Sequence, residues 1–228
     1  MQNTIHRYYK VFKPYGVVSQ FTTNDKHAKN KTFLGALGDF PEGTMAIGRL
    51  DEPSEGLLLL TTNGAYSYHV NNSGVEKQYY VQVDGIITVS EILKLQEGVY
   101  ITSDNKPYLT RPCIVTLLTS APDLPKRAKK IRDERHGPTS WISITITQGK
   151  FRQVRKMTSA VGFPTLRLVR VRIGEHTIGT LKPAEVAQIE VVFTNGKKSH
   201  NYSLPRLIVQ TLKMPLLFER LLLVLKCQ

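Results

Sequence analysis

Aromatic and β-branched residues from Arg7 to Val18 (RYYKVFKPYGVV) run into a Pro14–Gly16 punctuation, the pattern of a strand entering a turn. Thr22 to Lys31 is polar and reads as loop. Met45 to Gly64 (MAIGRLDEPSEGLLLLTTNG) has a short apolar entry, a charged middle and four consecutive leucines closed by Asn63-Gly64, which predicts strand, loop, strand. Tyr79 to Asp84 alternates, with Tyr79, Val81 and Val83 on one face and Tyr80, Gln82 and Asp84 on the other. Ser90 is placed to cap a short helix that stops at Gly98. Arg111 to Leu118 reads as a strand, and the Pro-rich, basic stretch Ser120 to Pro138 as an exposed loop. Trp141 to Thr147 alternates again, Ile142, Ile144 and Ile146 against Ser143, Thr145 and Thr147, which predicts a sheet with one face buried. On a helix from Gly149 to Gly162, Val154, Met157 and Val161 share one face and Arg152, Arg155, Lys156 and Ser159 the opposite one. Leu166 to Ile173 is a basic strand carrying Arg167, Arg170 and Arg172.

Strands with scattered short helices and no regular βαβ alternation predict an α+β fold: a mainly antiparallel mixed sheet with peripheral helices. The character changes near Phe193, so residues 1–193 are expected to form the folded domain and 194–228 an appendage. Lys and Arg number 31 against 18 Asp and Glu, a formal charge of +13 that asks for a polyanionic partner, nucleic acid first. The two cysteines, Cys113 and Cys227, have no CxxC or Cys/His spacing, and the six histidines no ligand spacing, so neither a disulfide framework nor a metal is implied. There is no P-loop or GxGxxG pattern. No secretory core is found near the N-terminus, and Leu216 to Leu225, broken by Glu219 and Arg220, is shorter than the ~20 residues of a membrane span. A cytoplasmic chain without membrane contact is the expectation.

Gly48-Arg49-Leu50-Asp51 places a carboxylate beside an arginine in a loop entered by glycine, where backbone can approach a ligand closely. Alone, such an aspartate is more often a solvated loop residue or a helix cap. With Ser54-Glu55-Gly56-Leu57-Leu58-Leu59-Leu60-Thr61 after it, the block resembles the signature of the pseudouridine synthases of the RsuA/Rlu group. Lys77-Gln78-Tyr79-Tyr80-Val81 and Gly149-Lys150-Phe151-Arg152-Gln153-Val154-Arg155-Lys156-Met157 are similar to two further blocks of that family, in its order. Val161 to Leu168 and Pro138 to Trp141 resemble more particularly its E-type branch, which points to a uridine of large-subunit ribosomal RNA.

The resemblance implies a catalytic domain in two subdomains flanking an active-site cleft. It implies Asp51 as the catalytic carboxylate, Tyr79 as the ring that packs on a flipped base, and Arg155 as the cation paired with Asp51. The reaction needs no cofactor, and the chain is expected to act as a monomer. Arg49, Arg152, Lys156, Arg167, Arg170 and Arg172 are candidate phosphate contacts. Only about 45 residues precede the catalytic loop, too few for the S4-type RNA-binding domain usual in the RsuA branch, so target choice is expected from the catalytic domain itself.

Two other classes stay open. A non-catalytic RNA-binding or ribosome-assembly protein on the same scaffold would leave the acid, ring and cation positions free to vary, yet all three are present together. An aspartate-dependent nucleoside or sugar hydrolase needs a second placed carboxylate, and only Glu52 and Glu55 are near in sequence.

Overall fold

The computed structural model describes residues 5–22, 30–132 and 134–193. These belong to one compact unit, Met1–Phe193. Most of the polar stretch before Lys31 and the whole segment from residue 194, read as an appendage, lie outside the described residues.

The strands are β1 (Tyr8–Lys13), β2 (Val17–Val18), β3 (Thr32–Phe33), β4 (Met45–Ile47), β5 (Glu55–Thr61), β6 (Lys77–Asp84), β7 (Tyr100–Ser103), β8 (Lys106–Leu109), β9 (Ile114–Leu118), β10 (Thr139–Ile146), β11 (Thr165–Ile173), β12 (His176–Thr177) and β13 (Val186–Gln188). The helices are α1 (Gly64–Asn72), α2 (Val89–Glu97) and α3 (Gln153–Ala160). One nine-stranded mixed sheet runs β13-β1-β5-β11-β6-β10-β9, with β4 paired to β5 and β12 to β11. All its pairings are antiparallel except β5 with β11. The fold is therefore α+β, with short helices around a large sheet. No helix among the described residues is long and apolar enough to cross a membrane.

Period-two alternation locates β6 well: Lys77, Tyr79, Val81 and Val83 are buried and their neighbours half-buried. Strand β10 departs from the expected one-sided burial, since Ser143 and Thr145 are buried along with the isoleucines. Ser143 Oγ accepts a hydrogen bond from Gln78 Nε2 at 2.9 Å, which satisfies a polar group on that covered face. Asn63-Gly64 is the start of α1 rather than a plain turn: Asn63 Oδ1 accepts from the Tyr66 backbone N–H at 3.0 Å. Helix α2 has Thr88, not Ser90, at its N-cap; the Thr88 side chain makes no hydrogen bond to the helix backbone, and its hydroxyl donates to the Glu91 carboxylate. The strand expected from Arg111 begins only at Ile114, and the helix expected from Gly149 only at Gln153.

Among the described residues the buried core forms four clusters, three of which frame the site. Val81, Val83, Ile92, Leu95, Ile142, Ile144, Val154 and Met157 pack α2 and α3 on β6 and β10. Leu57, Leu58, Leu59 and Leu60 fill both faces of β5, against Ile47, Tyr66 and Val70 on one side and Val11, Val17 and Leu34 on the other. Strand β11 pairs with both β5 and β6 and so joins these regions.

Candidate active site

Asp51 lies in the middle of the loop between β4 and β5, residues 48–54, and contacts from far along the chain hold that loop. Ser19 Oγ donates to the Leu50 carbonyl at 2.8 Å and accepts from the Leu50 N–H at 3.1 Å. Gly16 N–H donates to the Glu52 carbonyl at 2.9 Å, and the Ser54 N–H closes a turn on the Asp51 carbonyl at 2.9 Å. Gly48 enters the loop at φ +67, and a Cβ there would stand 3.0 Å from Asn71 Oδ1, so glycine is the residue that fits.

The buried ammonium of Lys13 sits beneath this loop, donating to the carbonyls of Pro14 at 3.0 Å, Val17 at 2.7 Å and Glu52 at 3.4 Å. Burial pushes its pKa down to about 7, opposed first by the negative charge of Glu55. Between about pH 7 and the ordinary lysine range the unfolded chain keeps the proton and the folded one releases it. Its contribution to stability therefore rises with pH across that window, by at most about 1.4 kcal/mol per unit. Denaturant unfolding of the wild type and of Lys13→Met at pH 7, 8 and 9 is expected to show the wild type gaining on the variant as pH rises. A constant difference would mean that Lys13 stays charged throughout.

Arg155, on the first turns of α3, is pinned by its outer nitrogens: Nη2 donates to the Pro53 carbonyl at 3.1 Å and to Ser54 Oγ at 3.2 Å. Its Nε is buried without a hydrogen-bond partner and faces Asp51 Oδ2 at 3.6 Å. The fork thus grips the loop, while the inner nitrogen offers charge to the carboxylate. Burial and then the adjacent Arg152 guanidinium lower the Arg155 pKa, and Asp51 draws it back up. Arg152 itself stands 3.7 Å from Asp51 Oδ2, a second cation at the carboxylate that the sequence reading had placed on RNA phosphate only. It reaches there from a left-handed backbone, φ 53 and ψ 32, at the N-cap of α3. Gln153 fixes that turn: its Oε1 accepts from Lys150 N–H at 3.1 Å and its Nε2 donates to Gln148 Oε1 at 2.9 Å.

Asp51 and Tyr79 line one cavity of about 350 Å³, together with Arg49, Leu50, Lys77, Arg152, Leu168 and Arg170. Tyr79 is only 7 % exposed and packs with Leu50, Val154 and Leu168, so its ring belongs both to the core and to the cavity wall. Arg155 is not on that wall; it backs Asp51 from the side. Lys77, Lys150 and Asn71 also face the cavity and were not singled out by sequence.

The basic residues divide. Arg49, Arg152 and Lys156 lie around the cavity and along α3, with Arg49 and Arg152 exposed. Arg167 and Arg170 are buried, because β11 is a central strand covered on both faces. Arg167 holds Glu55 through Nε and Nη2, both at 3.0 Å, and is not available to phosphate. Arg170 donates from Nε to the Leu57 carbonyl at 2.7 Å and lies beside Tyr79, 6.0 Å from its ring centroid. Arg172 is paired with Glu76 at 2.8 Å. As for a second carboxylate, Glu55 is locked in that buried pair and Glu52 is paired with Lys31 at 3.0 Å, so neither faces Asp51 as glycoside hydrolysis would require.

Comparison with known proteins matches residues 7–160 to RNA pseudouridylate synthase, a stretch that holds Asp51, Tyr79 and Arg155. The chain belongs to this family. Curated relatives of the pseudouridine synthase include ribosomal large subunit pseudouridine synthase E of Xanthomonas axonopodis pv. citri (strain 306), 42% identical over 173 residues that span 75% of this chain and 87% of the relative. The enzyme of that name from Vibrio parahaemolyticus serotype O3:K6 is 38% identical over 181 residues, 78% of this chain and 72% of the relative. Ribosomal large subunit pseudouridine synthase B of Bacillus subtilis (strain 168) is 29% identical over 202 residues, 84% and 75% of the two chains. Among solved structures, a pseudouridylate synthase crystal structure aligns with TM-score 0.63 at 22% identity over 83% of this chain and 73% of its own, which shows the shared fold.

Proposed function

We propose that this pseudouridine synthase isomerises a uridine of large-subunit ribosomal RNA in the cytoplasm, as a monomer and without a cofactor. Asp51 attacks the extruded nucleotide, Tyr79 receives the base and Arg155 pairs with the carboxylate. One observation carries the assignment of roles: Asp51 and Tyr79 share a cavity, and the unpartnered Nε of Arg155 faces Asp51 Oδ2 at 3.6 Å. A uracil within a helix is unreachable, so it is extruded and held on an aromatic surface while the glycosidic bond is remade through C5. Arg152 adds a second positive charge as water leaves, and Arg49 and Lys156 steer phosphates. The large-subunit target is supported by its relatives, which are named as large subunit pseudouridine synthases.

Ribosomal RNA labelled with tritium at uracil C5 tests the reaction: release from large-subunit RNA, with none from free uridine, is expected. Appearance of free uracil would instead indicate a hydrolase. Pseudouridine mapping in a strain lacking the protein should show one large-subunit site missing, and loss of a transfer-RNA or small-subunit site would overturn the target.

The catalytic domain is proposed to end at Phe193, whose ring packs edge-on against Tyr66 with centroids 5.3 Å apart. A chain cut after Phe193 is therefore expected to melt cooperatively and to keep tritium release within about twofold, as neutral surface changes do. A truncated chain that folds but is inactive would assign the tail a role in catalysis.

A further inference from the structure

A second groove lies outside the catalytic cavity, between β7 and α3. Tyr100, Ile101 and Thr102 form one wall, and Arg152, Arg155, Lys156, Ser159 and Ala160 the other, around an open volume of about 530 Å³. It adjoins the active-site cavity at Arg152, which lines both. The same wall carries Arg155, whose Nε stands 3.6 Å from Asp51.

Two aromatic rings are left exposed here. Tyr100 is 69 % exposed on the groove wall and Phe151 is 71 % exposed beside Arg152. Lys156 ties the two sides together: its Nζ donates to the Thr102 carbonyl at 2.6 Å and lies 5.2 Å from the Phe151 ring centroid. A single exposed aromatic residue is ordinary. Two of them flanking three cations, at the mouth of a site that takes a nucleotide, form the pattern by which single-stranded nucleic acid is held, with rings for the bases and cations for the backbone.

We propose that this groove is a second nucleotide subsite, in which Tyr100 and Phe151 stack unpaired bases next to the flipped uridine while Arg152 and Lys156 hold the intervening phosphate. The proposal rests on the reading of Asp51 as the reactive centre. Extruding one nucleotide strips its neighbour of a stacking partner, and an exposed aromatic face in the adjoining groove replaces what was lost. The subsite would help the catalytic domain to choose RNA in which the residue beside the target is already unpaired.

The test uses the full chain and a fluorescently labelled ten-nucleotide oligouridylate, titrated by anisotropy. Tyr100→Ala and Phe151→Ala, both at exposed positions, are expected to weaken binding roughly tenfold each, the scale of one lost base stack. Tyr100→Phe should bind within about twofold of wild type, because the stacking face remains, and the salt dependence should not change, because no charge is removed. The same oligomer carrying 5-iodouridine, irradiated and digested, should crosslink to Tyr100 and Phe151 as well as to the catalytic cavity. Wild-type affinity in either alanine variant would overturn the proposal, as would equal losses in Tyr100→Phe and Tyr100→Ala, or crosslinks confined to the cavity. Tritium release by the wild type is read in parallel. Absent release with aromatic-dependent binding would sink the catalytic reading and leave the groove standing; normal release with binding indifferent to both rings would do the reverse.

Discussion

Replacing Asp51 by asparagine is expected to cut tritium release from RNA by at least about 10³-fold while leaving RNA affinity within about threefold, the signature of a lost nucleophile rather than a lost binding contact. The amide keeps the size of the side chain and some of its hydrogen bonding but carries no negative charge to add to the nucleotide. Two guanidiniums, Arg155 at 3.6 Å and Arg152 at 3.7 Å, then face a neutral group. The cost in stability is expected to fall below the roughly 3–5 kcal/mol of breaking a fully buried pair. Arg155 keeps its bonds to Pro53 and Ser54, and the Asp51 side chain is 21% exposed. Melting of the variant separates folding from chemistry.

Arg155→Ala removes both the nearby charge and the grip on the loop, so turnover should fall severely. Arg155→Lys restores a cation without the two-point anchor and should lie between alanine and wild type. A well-folded Asp51→Asn protein that still makes pseudouridine at near the wild-type rate would remove Asp51 from the mechanism, and with it the roles given to Tyr79 and Arg155.

Local pattern and long-range order were unequally legible in the sequence. Alternation located β6 and the isoleucines of β10 because the period of a strand is written in consecutive residues. Helix α1 escaped notice because its buried residues, Tyr66, Ser67 and Val70, do not form an apolar stripe. Asp51, Tyr79 and Arg155 were found as members of three motif blocks, and the structure brings the blocks together through strand order. The basic residues of β11 were less legible, because the pattern along a strand does not say whether its faces are covered: Arg167 and Arg170 are buried, against Glu55 and the Leu57 carbonyl.

The clamp on the Asp51 loop was invisible for a related reason. Ser19 acts on Leu50 and Lys13 on Glu52 across more than thirty residues, and a lysine at the end of an apolar strand gives no sign that it is buried. Arg152 approaches Asp51 from a left-handed backbone, a conformation that an arginine does not announce.

Gly56→Ala is expected to leave little folded protein, with a loss of stability beyond about 4 kcal/mol, the exceptional end of single substitutions. Strands β5 and β11 pair in parallel with Gly56 opposite Arg170. A Cβ at Gly56 would stand 2.3 Å from the Arg170 carbonyl oxygen and 2.7 Å from its nitrogen. Those atoms are backbone within a sheet and cannot swing aside, so the strands must separate. On one side of the parting seam lies the start of β5, with Glu55 and the Asp51 loop; on the other lies Arg170 beside Tyr79. Gly16→Ala supplies the control, since Gly16 also has a positive φ of +85 but nothing within 4 Å of an added Cβ. Its cost should be conformational alone, about 1–2 kcal/mol. The comparison separates backbone strain from steric exclusion: equal melting losses in the two variants would show that φ, not the close approach of β11, makes glycine necessary at position 56.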